Sequence, residues 1–240
     1  MSATGAKNLA FIGHSEGFTT MLTSMTTDEA QWFKDRVSVI IALAPVAKLG
    51  NLKSTLLKAL GANNLALDLV KAFGIHEWFY PNFWTNGLFV YTCKYIPEIC
   101  EFNLEFITDG KPSVNDREAF RVYMGHFPGG LSVMLLDHEL QLYRADKFQY
   151  YDYGKEGNQE KYGQDTPPEI DISKVNGIPI AMMVGTSDLL GDVLDNRWLK
   201  EQLGDNVVFY EEYDYGCSSF YTAKDMHYLE DVTKLLATYA

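Results

Sequence analysis

Ser15 lies in the pentapeptide GHSEG, with the apolar run NLAFI before it and a helix-compatible stretch from Glu16 to about Met25 after it. A serine on a strand-to-helix turn has its hydroxyl held clear of the sheet. The first backbone N–H groups of the helix then face any oxyanion that forms on an attacked carbonyl. Ser15 is therefore read as a nucleophile, the backbone N–H of Glu16 as an oxyanion donor, and Gly13 and Gly17 as the small neighbours a tight turn needs. The competing reading is a structural serine in a glycine turn. A serine nucleophile needs a base, and the base needs an acid to orient it. Where the serine comes first in the chain, the acid follows a later strand and the base follows the last strand. MMVGTSDLLGD offers Asp188 for the acid, with Asp192 the lesser candidate, and either residue would also suit a helix cap or a solvated loop. At the last position VVFYEEYDY runs into GCSSFY, so Cys217 stands where an imidazole is expected. The one histidine beyond Asp188 is His227, which falls 10 residues later inside a helical pattern. His14 reads as a turn residue packing beside the serine, not as a base. His76, His126 and His138 have no cysteine or aspartate at metal-ligand spacing, so neither a metal nor another cofactor is expected.

These residues need a sheet to hold them. NLAFI, VSVIIALAP from Val37, IPIAMMVG and NVVFYEEY read as strands, each short and apolar or β-branched. TTDEAQWFKDRV, DVLDNRWLKEQL and FYTAKDMHYLEDVTKLLATY read as helices, the last with Phe220, Met226, Leu229, Val232, Leu235 and Leu236 on one face. Between about residues 46 and 148 the alternation stops. LKSTLLKALGANNLALDLVKAFG, VNDREAFRVYMGHF and GLSVMLLDHELQLYRADKF have helical spacing, and the aromatic run Trp78, Phe79, Tyr80, Phe83 and Trp84 suits cap-to-body packing, an acyl-chain pocket or a lipid-facing lid. The expected architecture is α/β, a mostly parallel sheet of about four strands, with a core of residues 1–47 and 149–240 and a helical cap over 48–148. Residues 149–176 read as a long connection, with DYGKEGNQEKYGQD a solvated loop.

An apolar share of 47% over 240 residues supports a sizeable core. A net charge of −12 argues against nucleic acid and against electrostatic docking on anionic lipid, but leaves neutral substrates open. No apolar run is long enough for a membrane span, and the N-terminal residues do not read as a secretory signal, so the compartment is left open. Three cysteines are too few for a disulfide scaffold. Cys93 and Cys100 in CKYIPEIC are near enough to bridge, and equally suit two reduced core thiols.

The stretches FIGHSEGFT, IALAPVA, YMGHFPGGLSV, KFQYYDYG, TPPEIDISKVNGIPIAMMVGTSDLLGD and YEEYDYGCSSFYTAKD together resemble the acid lipase family, the gastric and lysosomal lipases with an α/β-hydrolase fold. They run collinearly through nearly the whole chain and match the C-terminal two-thirds of the family. The resemblance implies hydrolysis of acylglycerols or sterol esters beneath a helical cap, with Ser15 as nucleophile, Asp188 as triad acid and the triad histidine at Cys217. Two departures follow. A thiol has no second nitrogen with which to relay between serine and aspartate, and losing one triad member costs several orders of magnitude in rate. Family members also carry a long segment before the serine, which supplies the first strands and a second oxyanion N–H, whereas Ser15 stands 14 residues after Met1. Residues 8–12 are then an unpaired apolar sheet edge, expected to be covered by another polypeptide or to mark a fragment of a longer product. Two functions compete: an ester hydrolase, and a hydrolytically impaired lipase fold acting as a structural or lipid-binding subunit.

Overall fold

The run Val37–Leu43 is one of two interior strands, buried on both faces, and shows why the chain folds as it does. In a computed structural model, which describes residues 1, 3–63, 65–78, 83–96, 98–99, 102, 107–126 and 129–239, strand β2 (Val37–Leu43) sits between β1 (Leu9–His14) and β5 (Ile180–Gly185), with β6 (Val207–Tyr213) beyond β5. All three pairings are parallel. Side chains of a strand point alternately to its two faces. Ile40, Ala42, Ile180, Met182 and Val184 therefore pack on one side with Phe18, Met21 and Leu22 of helix α1 (Glu16–Ser24), and with Leu199 and Leu203 of a later helix. Val39, Ile41, Leu43, Ala181 and Met183 pack on the other side with Phe220, Tyr228, Val232 and Leu235. A parallel sheet covered on both faces is the expected α/β core.

The short helix α2 (Ala30–Lys34) covers less of TTDEAQWFKDRV than its pattern suggests. Thr27 explains the late start: its hydroxyl donates to Ser24 O and accepts from Glu29 N–H, holding a turn in place of helix. After β2 come α3 (Thr55–Gly61), α4 (Leu65–Ala72), β3 (Glu77–Trp78), α5 (Phe83–Tyr95), α6 (Arg117–Met124), β4 (Leu131–Ser132) and α7 (Val133–Ala145). Helices α3, α4, α6 and α7 lie where their periodicity puts them, whereas α5 runs through an aromatic-dense stretch that is not read as helix from sequence. The antiparallel pair β3–β4 is an addition that two-residue strands do not signal in sequence. Of the aromatic run in this region, Phe79 and Tyr80, and the side chains of the other three, lie outside the described residues. Cys93 is disulfide-bonded, so the reduced alternative fails there; Cys100 lies outside the described residues.

Two further expectations are corrected. DYGKEGNQEKYGQD is not a loop: α8 (Gly154–Tyr162) runs through it. Its stability comes from polar bonds that periodicity does not register. Asn158, almost wholly buried, accepts from Tyr153 N–H (3.0 Å) and donates to Asp152 (2.7 Å) and to the Asp165 carbonyl (3.1 Å). After β5, α9 (Val193–Leu203) and β6, the closing helix is broken in two, α10 (Ser219–Thr222) and α11 (Tyr228–Tyr239). Ala223 is extended because it bridges Asn115 of the segment before α6, and Lys224 N–H donates to Val114 O (2.9 Å). Leu229 is consequently exposed, while Val232 and Leu235 are buried as expected. Among the described residues no helix is long and apolar enough to cross a membrane.

The two glycines of the pentapeptide differ. A Cβ at Gly13 would come within 2.8 Å of both the Phe11 ring and Phe18 N, whereas one at Gly17 would meet nothing within 4 Å. Gly13 is required by close approach; Gly17, contrary to expectation, is not. Gly13→Ala should cost about 1–3 kcal/mol through overpacking. Gly17→Ala should be neutral or stabilising by up to about 1 kcal/mol, since alanine is the better helix former. Chemical denaturation of both variants checks this, and equal losses would contradict it.

Candidate active site

β1 ends against β2, and Ser15 N–H donates to Leu43 O at 2.9 Å. Ser15 then takes φ 51°, ψ −118°, a left-handed conformation unfavourable for a residue with a side chain. Its neighbours hold it there: Phe18 N–H donates to Ser15 O (3.0 Å), and the Thr19 hydroxyl donates to Val46 O (2.6 Å), tying α1 to the loop after β2. This is the geometry of a nucleophile elbow. Glu16 N–H belongs to the first helical turn, whose donors lack intrahelical acceptors. The Glu16 side chain is partly covered, and burial raises its pKa against the opposing Thr20 bond.

The loop after β5 delivers Asp188 to the same end of the sheet. Asp188 is 1% exposed. Its Oδ1 accepts from Leu190 N–H (2.7 Å) and Gly191 N–H (3.0 Å), while Oδ2 has no hydrogen-bond partner. Desolvation first, and then the neighbouring Asp109 and Asp192 carboxyls, push it up to about 7 against its two backbone bonds. Asp192 is built differently. It caps α9, accepting from Leu194 N–H (2.8 Å), and pairs with Lys53 at 2.5 Å, which is a structural assignment.

Cys217 arrives on the loop after β6 and is 5% exposed. Its sulfur lies 3.8 Å from His14 Nε2. Burial, and then the charges of Asp188 and Asp109, drive its pKa well above the ordinary thiol value, outweighing the Ser15 contact. The sulfur is thus a neutral thiol at physiological pH. His14 Nε2 is 3.0 Å from Cys217 O. A carbonyl can only accept, so this nitrogen carries its proton and is not a base toward the serine. Burial also lowers the His14 pKa, leaving the ring neutral, with its centroid 4.6 Å from that of Tyr221 at a tilt of 57°. His227 is half-exposed and contacts Tyr215 and Asp225 instead. Among the described residues no histidine hydrogen-bonds Ser15, and no group of three or more His, Cys, Asp or Glu is placed to hold a metal.

Two further acids act on these residues without having been singled out in the sequence. Asp109 is fully buried and pushed up to about 6, chiefly by desolvation. Glu139 of α7 rises to about 7, first by desolvation and then by the charge of Glu16; it also acts on Cys217. Neither lies in a motif, and each reaches the site from the region between β2 and β5. The structure therefore assembles a strained serine, a neutral thiol and an acid with one idle oxygen, ringed by further carboxyls. Among the described residues no histidine stands between Ser15 and Asp188.

No family model matches the chain. The chain is 33% identical to lipase lipl-1 of Caenorhabditis elegans over 81% of its length, and 33% identical to the gastric triacylglycerol lipase of Homo sapiens over 87%. It covers 49% and 52% of those two proteins, so it spans about half the length of the curated relatives it matches. Among solved structures, a soluble variant of monoglyceride lipase from Saccharomyces cerevisiae aligns with a TM-score of 0.55 at 14% identity, over 99% of this chain and 64% of that one, a likeness of fold.

The raised carboxyls predict the pH dependence of stability. Asp188, Glu139 and Asp109 have folded-state pKa values above their unfolded ones, so the stability linked to them is full below about pH 4 and is lost as pH rises through 6 to 7. Glu212, depressed chiefly by Arg197, works in the opposite sense and loses its contribution as pH falls below about 4. The melting temperature should peak in mildly acidic buffer and fall toward pH 8. Asp188→Asn should shrink that fall, and an unchanged profile in the variant would contradict the assignment.

Proposed function

Since the chain is an acid-lipase-like α/β-hydrolase, we propose that by itself it is a hydrolytically impaired member that binds neutral lipid or ester and serves as a structural or lipid-binding subunit. The observation that carries this is the neutral Cys217 thiol beside Ser15, with Asp188 Oδ2 left idle. General-base assistance contributes roughly 10²–10⁴-fold to such reactions, and a thiol with a high pKa does not supply it. Lipid contact is supported by Leu65, Leu69 and Phe73, an exposed apolar stripe at helical spacing along and just past α4.

A second reading, an active serine ester hydrolase, is favoured by Glu139. A carboxyl near pH 7 that senses both Glu16 and Cys217 has the pKa of a general base. The experiment is turnover of a short-chain p-nitrophenyl ester together with fluorophosphonate labelling. For the impaired chain, wild type should be inert and Cys217→His should gain at least about 10²-fold. Turnover by wild type that vanishes in Ser15→Ala would overturn impairment, and its loss in Glu139→Gln would then identify the base.

The edge of β1 supports the partner. Ile12 is 47% exposed and Leu9 39% on a strand with one free side. Another polypeptide segment is proposed to pair there. Light scattering on the purified chain should show an oligomer or a co-purifying partner; a monomer with one cooperative melt would count against it.

A further inference from the structure

Residues 108–116, between α5 and α6, cross both loops that carry the acid and thiol of the site. Leu189 N–H donates to Thr108 O (3.0 Å), Gly110 N–H donates to Ser187 O (2.7 Å), and Asp109 faces Asp188 in an antiparallel bridge. On the other loop Ser218 N–H donates to Asp109 Oδ1 (2.9 Å), and the Thr108 and Ser218 hydroxyls are 3.1 Å apart. Asn115 Nδ2 donates to Asp109 Oδ2 (3.0 Å), and the Thr222 hydroxyl donates to Asn115 Oδ1 (3.0 Å). A Cβ at Gly216 would stand 2.1 Å from Asp109 Oδ1, so the carboxyl lies directly against the backbone on both sides of residue 217. A fully buried carboxyl is costly unless its oxygens are satisfied; here Oδ1 binds the loop that carries Cys217, and Oδ2 binds Asn115 of its own segment.

We propose that Asp109 is a positioning residue: its carboxyl clamps the backbone of residues 216–218 and so sets where the side chain at position 217 stands relative to Ser15 and Asp188. The cap region thereby belongs to the site and does not merely cover it. The proposal does not require the chain to hydrolyse anything, and its test reads the thiol, so it can fail separately from the proposed function. The titratable groups facing Cys217 are Asp109, Asp188 of the β5 loop, Glu139 of α7, His14 of β1, Tyr123 of α6 and Tyr221 of α10.

The experiment is alkylation of Cys217 by iodoacetamide across pH 6–10 in the intact oxidised chain, read by mass spectrometry of the peptide containing residue 217, with melting temperature measured alongside. Asp109→Ala, which frees the loop, should label about tenfold faster at pH 8. Asp109→Asn keeps an acceptor for Ser218 N–H but loses the charge; it should label more slowly than the alanine variant, with its midpoint moved to lower pH. Lys111→Ala, which cuts the exposed Lys111–Asp214 ion pair of the same segment, should label like wild type. A lower melting temperature in Asp109→Ala with rate and midpoint unchanged would mean mere structural support and would overturn the proposal, as would an equal acceleration in Lys111→Ala. If Asp109→Ala does not fold, Asp109→Asn decides, and an unshifted midpoint overturns it.

Discussion

Parallel pairing is the constraint on which the rest depends. With β1, β2, β5 and β6 all pointing the same way, each strand must deliver the residues after it to one end of the sheet. Ser15, Pro45, Asp188 and Cys217 are far apart in the chain, yet each follows a strand and so reaches that end. Close approaches seal it: a Cβ at Gly185 would stand 2.5 Å from Tyr215 O, and one at Gly191 would stand 2.7 Å from Pro45 O. The loops after β2, β5 and β6 are therefore packed backbone to backbone, and the site is rigid before any chemistry is considered.

Electrostatics then decides what the rigid site can do. An imidazolium at position 217 would offset the buried charge of Asp188 and offer a donor to its free oxygen. Sulfur does neither. Desolvation pushes the carboxyls of Asp188, Asp109 and Glu139 up toward neutral pH, and it also raises the thiol, which each carboxylate that does ionise raises further. The groups of this cluster are coupled, because a low-dielectric interior makes each charge felt by the others. His14 is drawn into the cluster as a donor to the Cys217 carbonyl, which couples the elbow to the last loop without providing a base.

Much of the scaffold was legible because its signals are local and periodic. The two-sided burial of β2, the helix after Ser15 and the strands at 180–185 and 207–213 all follow from short apolar runs and side-chain spacing. What was not legible depends on partners distant in sequence. Asn158 braces α8 through bonds to Asp152, Tyr153 and Asp165 in a stretch that composition assigns to a loop. The closing helix breaks at Ala223 because Asn115, over a hundred residues earlier, pairs with it. Gly17 looks obligatory in the pentapeptide, but only coordinates reveal the open space beside it.

By itself, the sequence determined the strands, most of the helices, the serine on its strand-to-helix turn, an aspartate after β5 and a cysteine after β6, since each is a matter of residue type and short-range spacing. Only the tertiary structure decided that Asp188 keeps an idle oxygen, that His14 spends its proton on a carbonyl, and that Asp109 and Glu139 act on the site. The physical reason is that burial, hydrogen-bond completion and the reach of a charge are properties of neighbours in space, which the chain brings together only when the sheet closes.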